Sequence, residues 1–81
     1  MTDRELVKQI ARDVVTQLAR QRIRDDEALV SSGLIDSLSV LRLITQLERQ
    51  LHIQMPKEQV QPEDFDSVDL IMDTIERVTV P

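Results

Sequence analysis

The sequence predicts an all-α fold, a small four-helix bundle made of three main helices plus one short one. Three observations point to it. Apolar residues recur at three- and four-residue spacing in three separate stretches, the mark of amphipathic helices. Each stretch begins beside a Thr, Ser or Asp, residues whose side-chain oxygens take the free N–H groups of a first helical turn. The stretch that instead alternates polar and apolar residues, His52-Ile53-Gln54-Met55, soon meets Pro56, so it reads as extended chain after a helix has ended.

Helix one is expected to open on Thr2-Asp3-Arg4-Glu5, a Thr-x-x-Glu pattern that suits a capping box. Leu6, Ile10, Val14 and Leu18 then form its stripe, with Val7 and Ala11 beside them, to about Arg20. The arginines at 20, 22 and 24 read as favourable charge at the negative pole of that helix. From Ile23 to Ile35 the period breaks at Asp25, Asp26, Ser31, Ser32 and the single glycine, Gly33. Loops this long inside a small domain are uncommon and often functional. Leu29, Val30, Leu34 and Ile35 are available to pin this one on the core.

Helix two is expected from Asp36 or Ser37 to Leu51, with Val40, Leu43, Ile44, Leu47 and Leu51 facing the core. Leu38 and Leu41 fall on another side, shared with Arg42, Thr45 and Arg49. Pro62-Glu63-Asp64-Phe65 suits one short helical turn begun by proline. The last helix is capped by Asp66 or Ser67 and buries Val68, Ile71, Met72, Ile75 and Val78, with Asp69, Asp73 and Glu76 opposite. Leu70 falls off that stripe.

The 81 residues (1–81) form one domain in this reading, with an aliphatic core because the chain has one Phe and neither Tyr nor Trp. So small a chain buries little more than ~60% of its unfolded surface, which leaves scant room for a walled catalytic cleft. With no aromatic platform and a net charge of −5, nucleic-acid binding is not expected. Nor is a membrane role, since no apolar run reaches the length of a signal peptide or a span. A cytoplasmic monomer is the expectation. Charge is uneven: residues 1–24 hold six bases and three acids, whereas residues 25–81 hold four bases and twelve acids.

Enzyme constellations are largely missing. The chain has no cysteine and one histidine, His52, so neither a thiolate metal site nor a Cys–His pair is available. A triad of Ser37, His52 and an Asp fails on distance, because the two residues lie at opposite ends of one helix, on the order of 20 Å apart. One glycine excludes a glycine-rich phosphate loop. What remains is Asp36-Ser37-Leu38 at the start of helix two: an exposed serine on a rigid element, suited to being modified by another enzyme.

Gly33-Leu34-Ile35-Asp36-Ser37-Leu38, followed by Ser39-Val40-Leu41-Arg42-Leu43-Ile44, resembles the phosphopantetheine attachment motif of acyl and peptidyl carrier proteins. The likeness runs over roughly residues 4–78 and includes Met55-Pro56 after helix two. It implies a fold of acyl-carrier type and a 4′-phosphopantetheine arm, taken from coenzyme A and joined to Ser37 through a phosphodiester. It also implies that Asp36 positions the transferase chemistry through a metal that does not stay bound. Acyl or aminoacyl intermediates would ride on the arm as thioesters. The implied partners are a phosphopantetheinyl transferase, an adenylating or acyl-loading enzyme, and downstream acyl-transfer or condensing enzymes. Leu38, Leu41, Arg42 and Thr45 are the expected partner contacts, and the carrier itself would not be an enzyme.

Two departures bear on the pathway. Residues 36–51 balance Asp36 and Glu48 against Arg42 and Arg49, where carriers of fatty-acid synthesis usually have an acidic helix. Two residues, Leu34 and Ile35, separate Gly33 from Asp36, where many of those carriers have one. Both features are similar to discrete carriers that work with an adenylating partner, in amino-acid loading or secondary metabolism. A carrier of fatty-acid synthesis and an unmodified helical interaction module are the alternatives.

Overall fold

A computed structural model describes residues 4–79. It contains three α-helices, α1 (Arg4–Ala19), α2 (Ser37–Leu51) and α3 (Val68–Thr79), with 3₁₀ turns at Lys57–Gln59 and Pro62–Phe65 before α3. There is no strand among the described residues. The expected fourth helix is therefore a 3₁₀ turn, preceded by a second one that the periodicity did not reveal. Pro56 and Pro62 bracket this stretch. Both turns are held by i→i+3 bonds, from Gln59 N to the Pro56 carbonyl at 2.9 Å and from Asp64 N to the Gln61 carbonyl at 2.9 Å, and Pro62, with no N–H to donate, cannot carry the first turn on into the second.

Helix α1 packs on both α2 and α3, and the turn ending at Phe65 packs against α3 and α2. The fully enclosed side chains include Phe65, Leu29, Leu43, Leu47, Ile71 and Met72. In α2 the expected face holds: Val40, Leu43, Ile44 and Leu47 are buried and Leu51 is half-buried. In α3 Val68, Ile71, Met72 and Ile75 are buried as expected and Val78 is half-buried, with Leu70 43% exposed.

Helix α1 is rotated from its expected stripe. Val7, Ala11, Val14 and Val15 are buried, Ile10 and Leu18 are half-buried, and Leu6 is 60% exposed. This helix faces two neighbours, so its buried arc is centred between them, and the small Ala11 on that arc is fully buried. The capping box expected on Thr2 lies outside the described residues. Past α1 the last turn contains no base, and Arg20, the next residue, begins the exit with φ 60° while its N–H still donates to the Thr16 carbonyl at 2.9 Å. Arg22 and Arg24 follow beyond the end of the helix.

Polar bonds lock the ends together. Asp25 takes Arg12 Nε at 2.9 Å and Arg12 Nη2 at 3.0 Å, with Lys8 Nζ at 3.2 Å. Its carbonyl accepts from Asp69 N at 3.0 Å, and Lys8 also reaches Asp69 at 3.4 Å. The loop is thus tied to α1 and to the first turn of α3. At the other end Arg4 pairs with Glu76. Arg77 Nη2 holds Asp64 at 3.2 Å and Nη1 donates to the Gln59 carbonyl at 3.2 Å, which clamps both 3₁₀ turns.

The Arg12 guanidinium, with Lys8 behind it, holds the Asp25 carboxyl below the usual range. A depressed folded-state pKa adds stability above the unfolded carboxylate range and loses it as pH falls through the folded value. Thermal midpoints should accordingly be level near neutrality and fall once pH drops below the ordinary carboxylate range. Asp25→Asn should lower the neutral midpoint and flatten the acid limb, as a pH series of melts on both proteins would register.

Candidate functional site

Asp36 and Ser37 stand where the long loop enters α2. Asp36 is extended (φ −97°, ψ 178°), and its Oδ1 accepts from Ser39 N at 2.8 Å, so it is the N-cap. That bond, with help from the Ser39 hydroxyl and the charge of Arg42, keeps its carboxyl ionised below the usual range. Ser37 is the first helical residue and is exposed. With the cap supplied by Asp36, the Ser37 hydroxyl is not needed to hold the helix.

The loop before them is closed on itself. Ile35 N donates to the Leu29 carbonyl at 3.1 Å and Gly33 N to the Val30 carbonyl at 3.1 Å. Gly33 has φ 85°, which L side chains rarely adopt, and open space around its Cα; backbone conformation alone calls for glycine here. Leu29 and Ile35 are buried and Val30 and Leu34 half-buried, so the loop is pinned by the residues the sequence offered for that purpose.

Sequence reasoning missed what grips this loop from outside. Asp66 Oδ1 accepts from Leu29 N at 3.1 Å, Val30 N at 2.7 Å and Ser31 N at 2.8 Å. Oδ2 takes the Ser31 hydroxyl at 2.8 Å. The bonds from Ser31, then those from Val30 and Leu29, hold the Asp66 carboxyl below its ordinary range. Asp66 therefore does not cap α3. Ser67 does, accepting from Leu70 N at 3.1 Å. The one available hint was Asp66-Ser67 itself, two capping residues where a helix uses one.

Beside Ser37 a groove of about 250 Å³ runs between α2 and the two 3₁₀ turns, lined by Val40, Leu41, Ile44, Val60 and Pro62, with Lys57 and Gln61 as its polar members. An apolar groove with a cation, next to an exposed hydroxyl, fits a phosphodiester-linked arm and its uncharged chain. On the outer side of α2, Leu38 is 62% and Leu41 53% exposed, and Arg42, Thr45 and Arg49 are exposed. Leu18 of α1 joins Leu38, Leu41, Arg42 and Thr45 around a shallow depression there.

His52 is not part of this site. It closes the far end of α2 in the left-handed conformation (φ 56°, ψ 46°), with its N–H on the Glu48 carbonyl. Among the described residues no group of His, Cys, Asp and Glu could hold a metal ion, and no helix is long and apolar enough to cross a membrane.

Residues 5–75 match the family model described as the phosphopantetheine attachment site. A comparison with curated proteins gives no match. Domains of the matching family bind a 4′-phosphopantetheine prosthetic group and are generally non-catalytic carriers, met by a phosphopantetheinyl transferase and by acyl-handling enzymes. The chain belongs to this phosphopantetheine-attachment family, to which acyl and peptidyl carrier proteins also belong.

Proposed function

We propose that the chain carries acyl or aminoacyl cargo on an arm joined to Ser37, and receives that cargo from an adenylating or acyl-loading enzyme outside general fatty-acid synthesis. The thiol of the bound arm supplies a thioester, which activates the cargo for acyl transfer. Attachment is a phosphoryl transfer. Ser37 Oγ forms a new O–P bond to the pantetheine-bearing phosphorus of coenzyme A, the pyrophosphate P–O bond breaks, and adenosine 3′,5′-bisphosphate leaves. The hydroxyl proton passes to a base of the transferase. Asp36, ionised and fixed by its cap, lies next to the reacting oxygen in sequence, where a carboxylate suits the metal that accompanies coenzyme A. In the holo form, Val40, Ile44 and Val60 offer the arm an apolar wall, and Lys57 offers its phosphodiester a cation.

The observation that carries the choice of partner is the outer face of α2. Its leucines are exposed, and Arg42 and Arg49 make no ion pair among the described residues, as is also true of Arg20 and Arg22 past α1. In a chain of net charge −5, the exposed Arg42 and Arg49 beside an apolar ridge complement a partner with an apolar cleft and acidic rim. Partners built for an acidic helix present the wrong sign.

Burying a leucine is worth about 1.5–3 kcal/mol, and about 1.4 kcal/mol is tenfold in rate or affinity. Leu41→Ala should therefore slow loading of the holo carrier by a cognate adenylating enzyme by about tenfold or more, with the thermal midpoint almost unmoved. Arg42→Glu should slow the same enzyme and favour a fatty-acid-synthesis partner. The test compares loading rates and melts across the variants with both kinds of enzyme. A wild-type carrier loaded faster by the fatty-acid partner, or an unchanged rate in Leu41→Ala, would overturn the reading.

A further inference from the structure

Three consecutive backbone N–H groups converging on one oxygen form a nest that attracts an anion. Here the chain fills its own nest. The acceptor is Asp66, 37 residues beyond Leu29 in sequence, and Ser67 has taken over the capping that would otherwise occupy it. The Asp66 carbonyl adds a further bond, accepting from Leu29 N at 2.8 Å. The gripped residues, 29–31, are one side of the closed turn whose other side is Ile35, bonded back to the Leu29 carbonyl. Asp36 and Ser37 follow directly. A continuous path of hydrogen bonds thus runs from the start of α3, through the turn, to the start of α2.

We propose that Asp66 is a positioning residue for the modification of Ser37: its carboxylate holds the turn from Leu29 to Ile35 in the conformation that presents Asp36-Ser37 to the transferase. The proposal rests on the reading that Ser37 takes the arm. A transferase has to set the serine oxygen in line with a pyrophosphate bond, and misplacement by about 1 Å can cost on the order of 10²-fold in rate. Without the carboxylate three N–H groups lose their acceptor, and the turn populates other arrangements. The transferase then finds only a fraction of carriers competent, which raises the apparent KM by the inverse of that fraction and leaves kcat at saturation alone.

The experiment measures kcat and KM of a broad-specificity phosphopantetheinyl transferase for the carrier, with coenzyme A saturating, below every thermal midpoint. Asp66→Ala should raise the KM for carrier by about tenfold or more with kcat within about twofold. Asp66→Asn, which keeps one acceptor, should fall between it and wild type and serves if the alanine variant folds poorly. Ile71→Val, a truncation at a fully buried position of α3, is the control for lost stability and should leave both constants within about twofold. Amide exchange should quicken at Leu29, Val30 and Ser31 in the Asp66 variants and stay unchanged there in the control. Unaltered KM in both Asp66 variants, or an equal rise in Ile71→Val at a comparable midpoint, overturns the role given to Asp66. A wild-type chain that takes no arm overturns the Ser37 reading and this inference with it, so the two failures are told apart by the wild-type measurement.

Discussion

Phe65→Ala is expected to destabilise the domain by about 3–5 kcal/mol, the range for removing an aromatic ring from a core. Phe65 is the chain's one aromatic residue and is fully buried. It ends the second 3₁₀ turn, which has too few bonds of its own to persist. The ring is what fixes that turn against α2 and α3, so its loss leaves a cavity and also frees the wall of the groove beside Ser37. At roughly 0.05–0.15 kcal/mol per residue, a domain this size has about 4–12 kcal/mol in all, so that loss takes a large share of it. Leu47→Ala, from the centre of α2, should cost about 2–5 kcal/mol. Leu70→Ala, at a 43% exposed site, should stay within about 0.5 kcal/mol. Urea unfolding of the three variants ranks them. A Phe65→Ala loss below about 1 kcal/mol would mean the turn is held by something other than its ring.

The features legible in the sequence are those written into neighbouring residues. Leu43 and Leu47 in α2, and Ile71 and Ile75 in α3, lie four residues apart on faces of single helices, and periodicity alone places them in the core. The Asp36 cap and the turn at Gly33 are equally local. What escaped is long-range. Asp66 reads as a helix cap because nothing near it reveals that the N–H groups donating to it are 35 to 37 residues away. Asp25 reads as a loop acid, although Lys8 and Arg12 are waiting for it on α1. Glu48 reads as one charge among others on α2, yet its Oε2 accepts from Met55 N at 2.9 Å and turns the chain toward the 3₁₀ segment. Leu6 lies outside the core for a related reason: α1 packs between two helices, and its buried face is set by both.

Ser37→Ala should abolish attachment of the arm and leave the fold almost untouched. The two halves of that expectation have separate causes. Attachment needs a hydroxyl oxygen at this position, and alanine has none. Stability barely depends on Ser37, because Asp36 Oδ1 already satisfies Ser39 N and Ser37 is exposed; a change of about 0.5 kcal/mol or less is expected for such a surface substitution. Ser39, two residues on and half-buried, is the nearest competing hydroxyl in the sequence. Intact-mass spectrometry after incubation with coenzyme A and a broad-specificity phosphopantetheinyl transferase tests the attachment most directly. The wild-type chain should gain one phosphopantetheine and the Ser37→Ala chain none, whereas an unmodified wild type, or an arm still added to Ser37→Ala at Ser39 or elsewhere, would contradict the account.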